Sequence, residues 1–181
     1  MRGTMFVEFF DHVERHHGID VVDRIIEESA QHTSTGGAYT SVGNYPHGEL
    51  LALATALSNV CGEDLVSIID KFAIHIMDAF KRMHPEYFEV GNAFDFLSSV
   101  GASIHKDVRK LYPDANPPEV EASLQADGSL LLHYRSHRPL AHLALALTRL
   151  ATQMYGETID VEIVEMSAEG NAAAMRLRRA Q

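Results

Sequence analysis

One cysteine, Cys61, stands among 181 residues. Its solitude excludes an intramolecular disulfide and any cysteine-rich zinc site, since these need several thiolates at close spacing, and a reducing cytoplasm is the expected compartment. Cations are scarce too. Fifteen Lys and Arg face 25 Asp and Glu, a formal net charge of −10, which opposes attraction to phosphate backbones and anionic lipid surfaces. Neither nucleic acid nor a membrane is an expected partner. No window approaches the ~20 apolar residues of a membrane helix, and Glu8 and Asp11 interrupt the N-terminal stretch before a signal-length apolar region forms. Gly-x-Ser-x-Gly and phosphate-cradling glycine motifs are missing, and Cys61 adjoins Glu63 and Asp64, which do not lower a thiol pKa. No enzyme site emerges.

What is present is 46% hydrophobic residues, ample for the core of one domain spanning residues 1–181. Met5, Phe6, Phe9, Phe10 and Val13 recur at helical steps as far as Gly18, and Val21, Val22, Ile25 and Ile26 repeat the pattern. Thr33 to Gly37 is loop. Helices follow from Pro46 to Gly62 and from Leu65 to Met83, the second stopped by Pro85. Asn92 or Asp95 caps a further helix running through Val100 and His105 to about Leu111. Beyond Pro118 the period changes. Residues 120–124 and 130–134 flank an Asp127-Gly128 turn as a hairpin, Pro139 opens a helix to Gly156, and Ile159–Val164 pairs with Ala172–Arg179 across Gly170. The fold class is therefore α+β, a mainly helical N-terminal part (about 1–65) packed on a mixed C-terminal part with antiparallel strands (about 66–181).

His105 shares its helix with Ile104, Val108 and Leu111, so its ring turns either into core or toward a metal. One imidazole suffices for haem, whose equatorial ligands belong to the porphyrin, whereas zinc needs more protein donors. Tyr134, Ser136 and Arg138 are spaced by two. On one strand face, their hydroxyls and guanidinium would converge on an anion; an ordinary polar strand edge reads the same way. His75 and His142 lie within apolar helices as lesser candidates for an iron ligand. His12, His16 and His17 read as a solvated face, and Cys61 as a buried residue of an apolar helix.

These residues resemble the haem nitric oxide/oxygen-binding (H-NOX) family, in its stand-alone bacterial type related to the haem domain of soluble guanylate cyclase. The resemblance rests on Met1-Arg2-Gly3-Thr4, His84-Pro85-Glu86-Tyr87-Phe88, His105 with Leu111-Tyr112-Pro113, the Pro117-Pro118 elbow, and Tyr134-x-Ser136-x-Arg138. It implies haem b between the two parts of the fold, His105 as its axial ligand, Tyr134, Ser136 and Arg138 on its propionates, and Pro118 pressing on the porphyrin. It also implies a sensor function: nitric oxide binds ferrous haem, weakens or breaks the His105 bond, and changes a surface that regulates a separate histidine kinase or cyclic-di-GMP enzyme.

Gas selectivity follows from the distal positions. Oxygen-binding relatives carry a tyrosine where this chain has Leu143, and Met5, Phe9, Ile76, Phe80 and Leu147 match the remaining distal positions. None donates a hydrogen bond. Bound dioxygen carries partial negative charge and gains from a donor, whereas nitric oxide needs none, so nitric oxide and carbon monoxide are the expected ligands and stable oxygen binding is not. His142 adjoins Leu143, yet neighbours on a helix diverge by ~100°, which turns His142 away if Leu143 faces haem. Two other functions compete: a haem-independent module for an acidic small molecule, and a haem peroxidase or nitric oxide dioxygenase.

Overall fold

The computed structural model describes residues 1–180. Helix α1 (Thr4–His17) buries Phe6, Phe9, His12 and Val13 at three- and four-residue steps, the spacing of one helical face. Gly18 separates it from α2 (Ile19–Ser29), which buries Val22 and Ile25. After the loop that ends at Pro46, α3 (His47–Cys61) stops at Gly62, and α4 (Leu65–Met83) runs to the residue pair before Pro85. Gly3 explains the glycine of the N-terminal motif. A Cβ there would lie 1.8 Å from the Thr40 carbonyl oxygen, a contact no side chain can make.

The described chain forms two compact units, Met1–Ala79 and a second from Phe80 onward. Most of α4 thus belongs with the first unit, although the sequence reading divided the chain near residue 65. The reason is side-chain burial: Ile68, Phe72, Ala73 and Ile76 are core residues, and the Phe72 ring meets Phe9 edge-on at 5.3 Å. No single helix among the described residues is long and apolar enough to cross a membrane.

In the second unit Asn92 caps α5 (Ala93–Ser99), its side chain accepting a hydrogen bond from the Asp95 amide at 3.0 Å. The uninterrupted helix expected from there to Leu111 does not form. A π turn, Val100–Ile104, divides α5 from α6 (His105–Leu111). The cause is a close approach: a Cβ on Gly101 would stand 1.7 Å from the carbonyl oxygen of Val120. A widened turn without a side chain lets the helix pass this strand, and such insertions concentrate at functional sites.

Strands β1 (Glu119–Leu124) and β2 (Leu130–Arg135) form the first hairpin, pinned where Asp127 Oδ1 accepts from the Ser129 amide at 3.0 Å. Helix α7 (Ala141–Met154) begins two residues after Pro139, and β3 (Ile159–Met166) with β4 (Ala172–Arg179) forms the second hairpin. The sheet is antiparallel in the order β1-β2-β4-β3. Leu130, Leu132 and Tyr134 of β2 bury one face, with Ala173, Met175 and Leu177 among the buried residues of β4. Helix α7 packs on this sheet and on α5, and Ala141, Leu145, Ala146 and Ala151 are among its buried residues. The fold is therefore α+β, with a helical N-terminal part.

Candidate functional site

His105 opens α6 directly after the π turn, so the irregularity in the helix sets where its ring points. Burial lowers the imidazole from its ordinary value to about 4. The Pro118 carbonyl acts against that lowering as a hydrogen-bond acceptor, and the Arg109 charge reinforces it. His105 Nδ1 is buried without a hydrogen-bond partner. At neutral pH the ring is thus uncharged, the form whose lone pair binds a metal. The structure also brings the elbow proline beside the histidine that the sequence separates from it by a helix and a loop.

Tyr134, Ser136 and Arg138 do not share a strand face as expected. Strand β2 ends at Arg135, and Ser136 and Arg138 lie in the irregular segment beyond it. The three still converge by another route. The Ser136 hydroxyl lies in hydrogen-bonding reach of the Tyr134 phenol, and Ser136 Oγ accepts from the Arg138 amide at 3.1 Å, which bends the chain locally. Tyr134 is 6% exposed; burial raises its pKa, against the effects of the Ser136 bond and the Arg138 charge. Burial also lowers Arg138, with Tyr134 opposing, yet a guanidinium starts so high that it stays charged.

A connection absent from the sequence reading ties these residues to the elbow. Arg138 Nη1 donates to the Asn116 carbonyl at 2.8 Å, and Asn116 Nδ2 meets His137 Nδ1 at 3.2 Å. Arg138 Nε is buried with no acceptor. A buried charged donor without an acceptor is costly, and a carboxylate oxygen would relieve it. The donor set suits haem: a neutral imidazole for iron, and a guanidinium with two hydroxyls for propionates.

The remaining candidates are spread over both units. Phe9 and Ile76 are fully buried in the first and Met5 is half-buried; in the second, Leu143 is buried and Phe80 and Leu147 are half-buried. His142 is exposed beside buried Leu143, as helix geometry requires. His75 is engaged elsewhere, its Nε2 lying 2.9 Å from Glu8 and 3.4 Å from Asp11. Two sequence expectations fail. His12 is 2% exposed rather than solvated, because its side chain falls on the Phe9 side of α1, against Phe72 and His75. Cys61 is exposed, not buried, since it ends α3; its Sγ lies 3.6 Å from His17 Nδ1.

Comparison with known proteins gives a family whose model, described as Haem-NO-binding, matches residues 2–163. Among solved structures, the unliganded Fe(II) H-NOX protein from K. algicida is 26% identical, with TM-score 0.88 over 100% of this chain and 97% of that one. A point mutant of it reaches TM-score 0.90 at the same identity and coverage. The H-NOX protein from S. oneidensis in the Fe(II)NO ligation state shares the fold at 19% identity, with TM-score 0.88 over all of both chains. Curated proteins give no match.

Proposed function

Because the chain belongs to the haem-NO-binding family, we propose that it is a single cytoplasmic gas-sensing domain that holds haem b on His105 and responds to nitric oxide. Haem, when bound, supplies the ferrous iron that takes up nitric oxide or carbon monoxide. The observation that carries the reading is the half-buried, uncharged imidazole of His105, its Nδ1 shielded from solvent, beside Pro118 at the junction of a π turn and a helix. Arg138 Nε, with no acceptor of its own, serves a propionate together with the Tyr134 and Ser136 hydroxyls. Pro118 presses on the porphyrin. The side chains of Met5, Phe9, Ile76, Phe80, Leu143 and Leu147, given distal positions by the family resemblance, carry no N–H or O–H group, so none of them offers dioxygen a hydrogen bond. A free, unbridged Cys61 fits a reducing compartment.

His105 is also the link to output. It begins α6, and the preceding π turn is an element whose hydrogen-bond register can shift when the first helical residue loses a partner. We assign the output to a changed surface read by a separate histidine kinase or cyclic-di-GMP enzyme. The test is an absorption spectrum of the haem-loaded protein, ferrous and then with air, carbon monoxide and nitric oxide added separately. Five-coordinate ferrous haem that binds the last two and holds no stable oxygen is expected, and His105→Ala should lose the axial ligand until imidazole is added. A stable oxygen complex would refute the selectivity argument. Failure to take up haem would return Tyr134, Ser136 and Arg138 to some other carboxylate.

A further inference from the structure

Away from the proposed haem residues, the first unit gathers Glu8 and Asp11 of α1 and His75 of α4 so that one ligand atom from each lies within 4.8 Å of the others. His75 Nε2 is 2.9 Å from Glu8 Oε2 and 3.4 Å from Asp11 Oδ2. These separations flank the ~3.3 Å edge of a tetrahedron drawn with zinc-to-ligand distances near 2.0 Å. His75 is only 8% exposed and Glu8 17%, whereas Asp11 is 36% exposed, which leaves the solvent side open for a water as fourth ligand. Arg15 pairs with the other Asp11 oxygen, Oδ1, at 3.0 Å and so leaves Oδ2 turned to His75.

A second observation lies on the buried side of the cluster. The His12 ring packs edge-to-face on His75 at 5.4 Å, and its Nδ1 is buried with no hydrogen-bond partner. His75 Nε2 faces one carboxylate oxygen of each acid at once. A dication satisfies both. We propose that Glu8, Asp11 and His75 form a zinc-type divalent-cation site that clamps α1 to α4 within the first unit. One imidazole with two carboxylates favours a borderline ion such as Zn2+ over Mg2+, which prefers an all-oxygen octahedron and keeps its waters.

The test uses the full, haem-loaded protein, stripped with chelator, then titrated with zinc chloride by calorimetry and dialysed for elemental analysis. One zinc per chain is expected, retained in millimolar Mg2+. Altering residues that merely orient metal ligands weakens binding about 10- to 100-fold, so Glu8→Gln, Asp11→Asn and His75→Asn should each weaken it about 10-fold or more. Asp11→Asn is the most exposed of the three changes and keeps the test valid if His75→Asn fails to fold. Cys61→Ser should leave binding unchanged. No zinc above background, zinc unaffected by Asp11→Asn and Glu8→Gln, or zinc lost with Cys61→Ser, which would place it at the Cys61–His17 pair, would each overturn the proposal.

Discussion

Gly101→Ala isolates the packing that positions His105. Its Cβ would meet the Val120 carbonyl oxygen at 1.7 Å and the carbonyl carbon at 2.8 Å. Both obstacles are backbone, so no side chain can swing aside, and the cost belongs at the upper end of overpacking, about 3 kcal/mol. Replacing glycine also removes freedom from the unfolded chain, which returns roughly 0.4–1 kcal/mol. The net loss is about 2 kcal/mol, or roughly 4–8 °C in Tm for a domain of this size. Gly48→Ala provides the opposite sign: nothing lies within 4 Å of that Cβ and the residue sits in α3, so only the stabilising part survives. Thermal melts of the two variants beside the parent, with and without haem, read the difference. Because Gly101 lies in the turn leading to His105, its variant should also take up haem less tightly. If Gly101→Ala melts at or above the parent temperature, the close approach of the π turn to β1 is wrong.

Arg138→Met removes the donor to the Asn116 carbonyl and the charge proposed for a propionate. A charged hydrogen bond contributes about 1.5–3 kcal/mol, so haem transfer to a scavenging protein should speed up roughly 10- to 100-fold. Arg138→Lys should recover only part of this, because an ammonium lacks the fork; an unchanged rate in Arg138→Met would remove Arg138 from the site. Glu49, 4% exposed, accepts from Ser34 and Tyr39, each at 2.7 Å. Burial pushes its carboxyl up, but the two hydroxyls together with the Ser34 backbone amide outweigh this and hold it below the ordinary 4.5. Its contribution is therefore full above pH 4.5 and lost as pH falls through the lowered value. Glu49→Gln keeps one acceptor oxygen and should cost about 1–3 kcal/mol at neutral pH. Its urea midpoint should also fall less steeply on acidification than the parent's, and parallel curves would contradict the assignment.

The local elements were legible in the chain because their signals are local. Apolar spacing on α1 and α2, the stops at Gly18, Gly62 and Pro85, the Asn92 cap and the turns at Gly128 and Gly170 each act within a few residues. His105 and the Tyr134, Ser136, Arg138 pattern were also visible as candidates, through residue type and the family resemblance. Tertiary structure alone decided what depends on distant partners. The π turn exists because Val120 passes Gly101, and Ser136 and Arg138 are placed by the local Ser136–Arg138 bond and the Asn116 carbonyl rather than by strand alternation. The insertion of β4 between β2 and β3 likewise has no local signal. His12 and His75 follow the same logic. A periodicity places each on a helix face, but only the packing of α1 against α4 determines that His12 is buried and that His75 meets two carboxylates 67 and 64 positions earlier in the chain, Glu8 and Asp11.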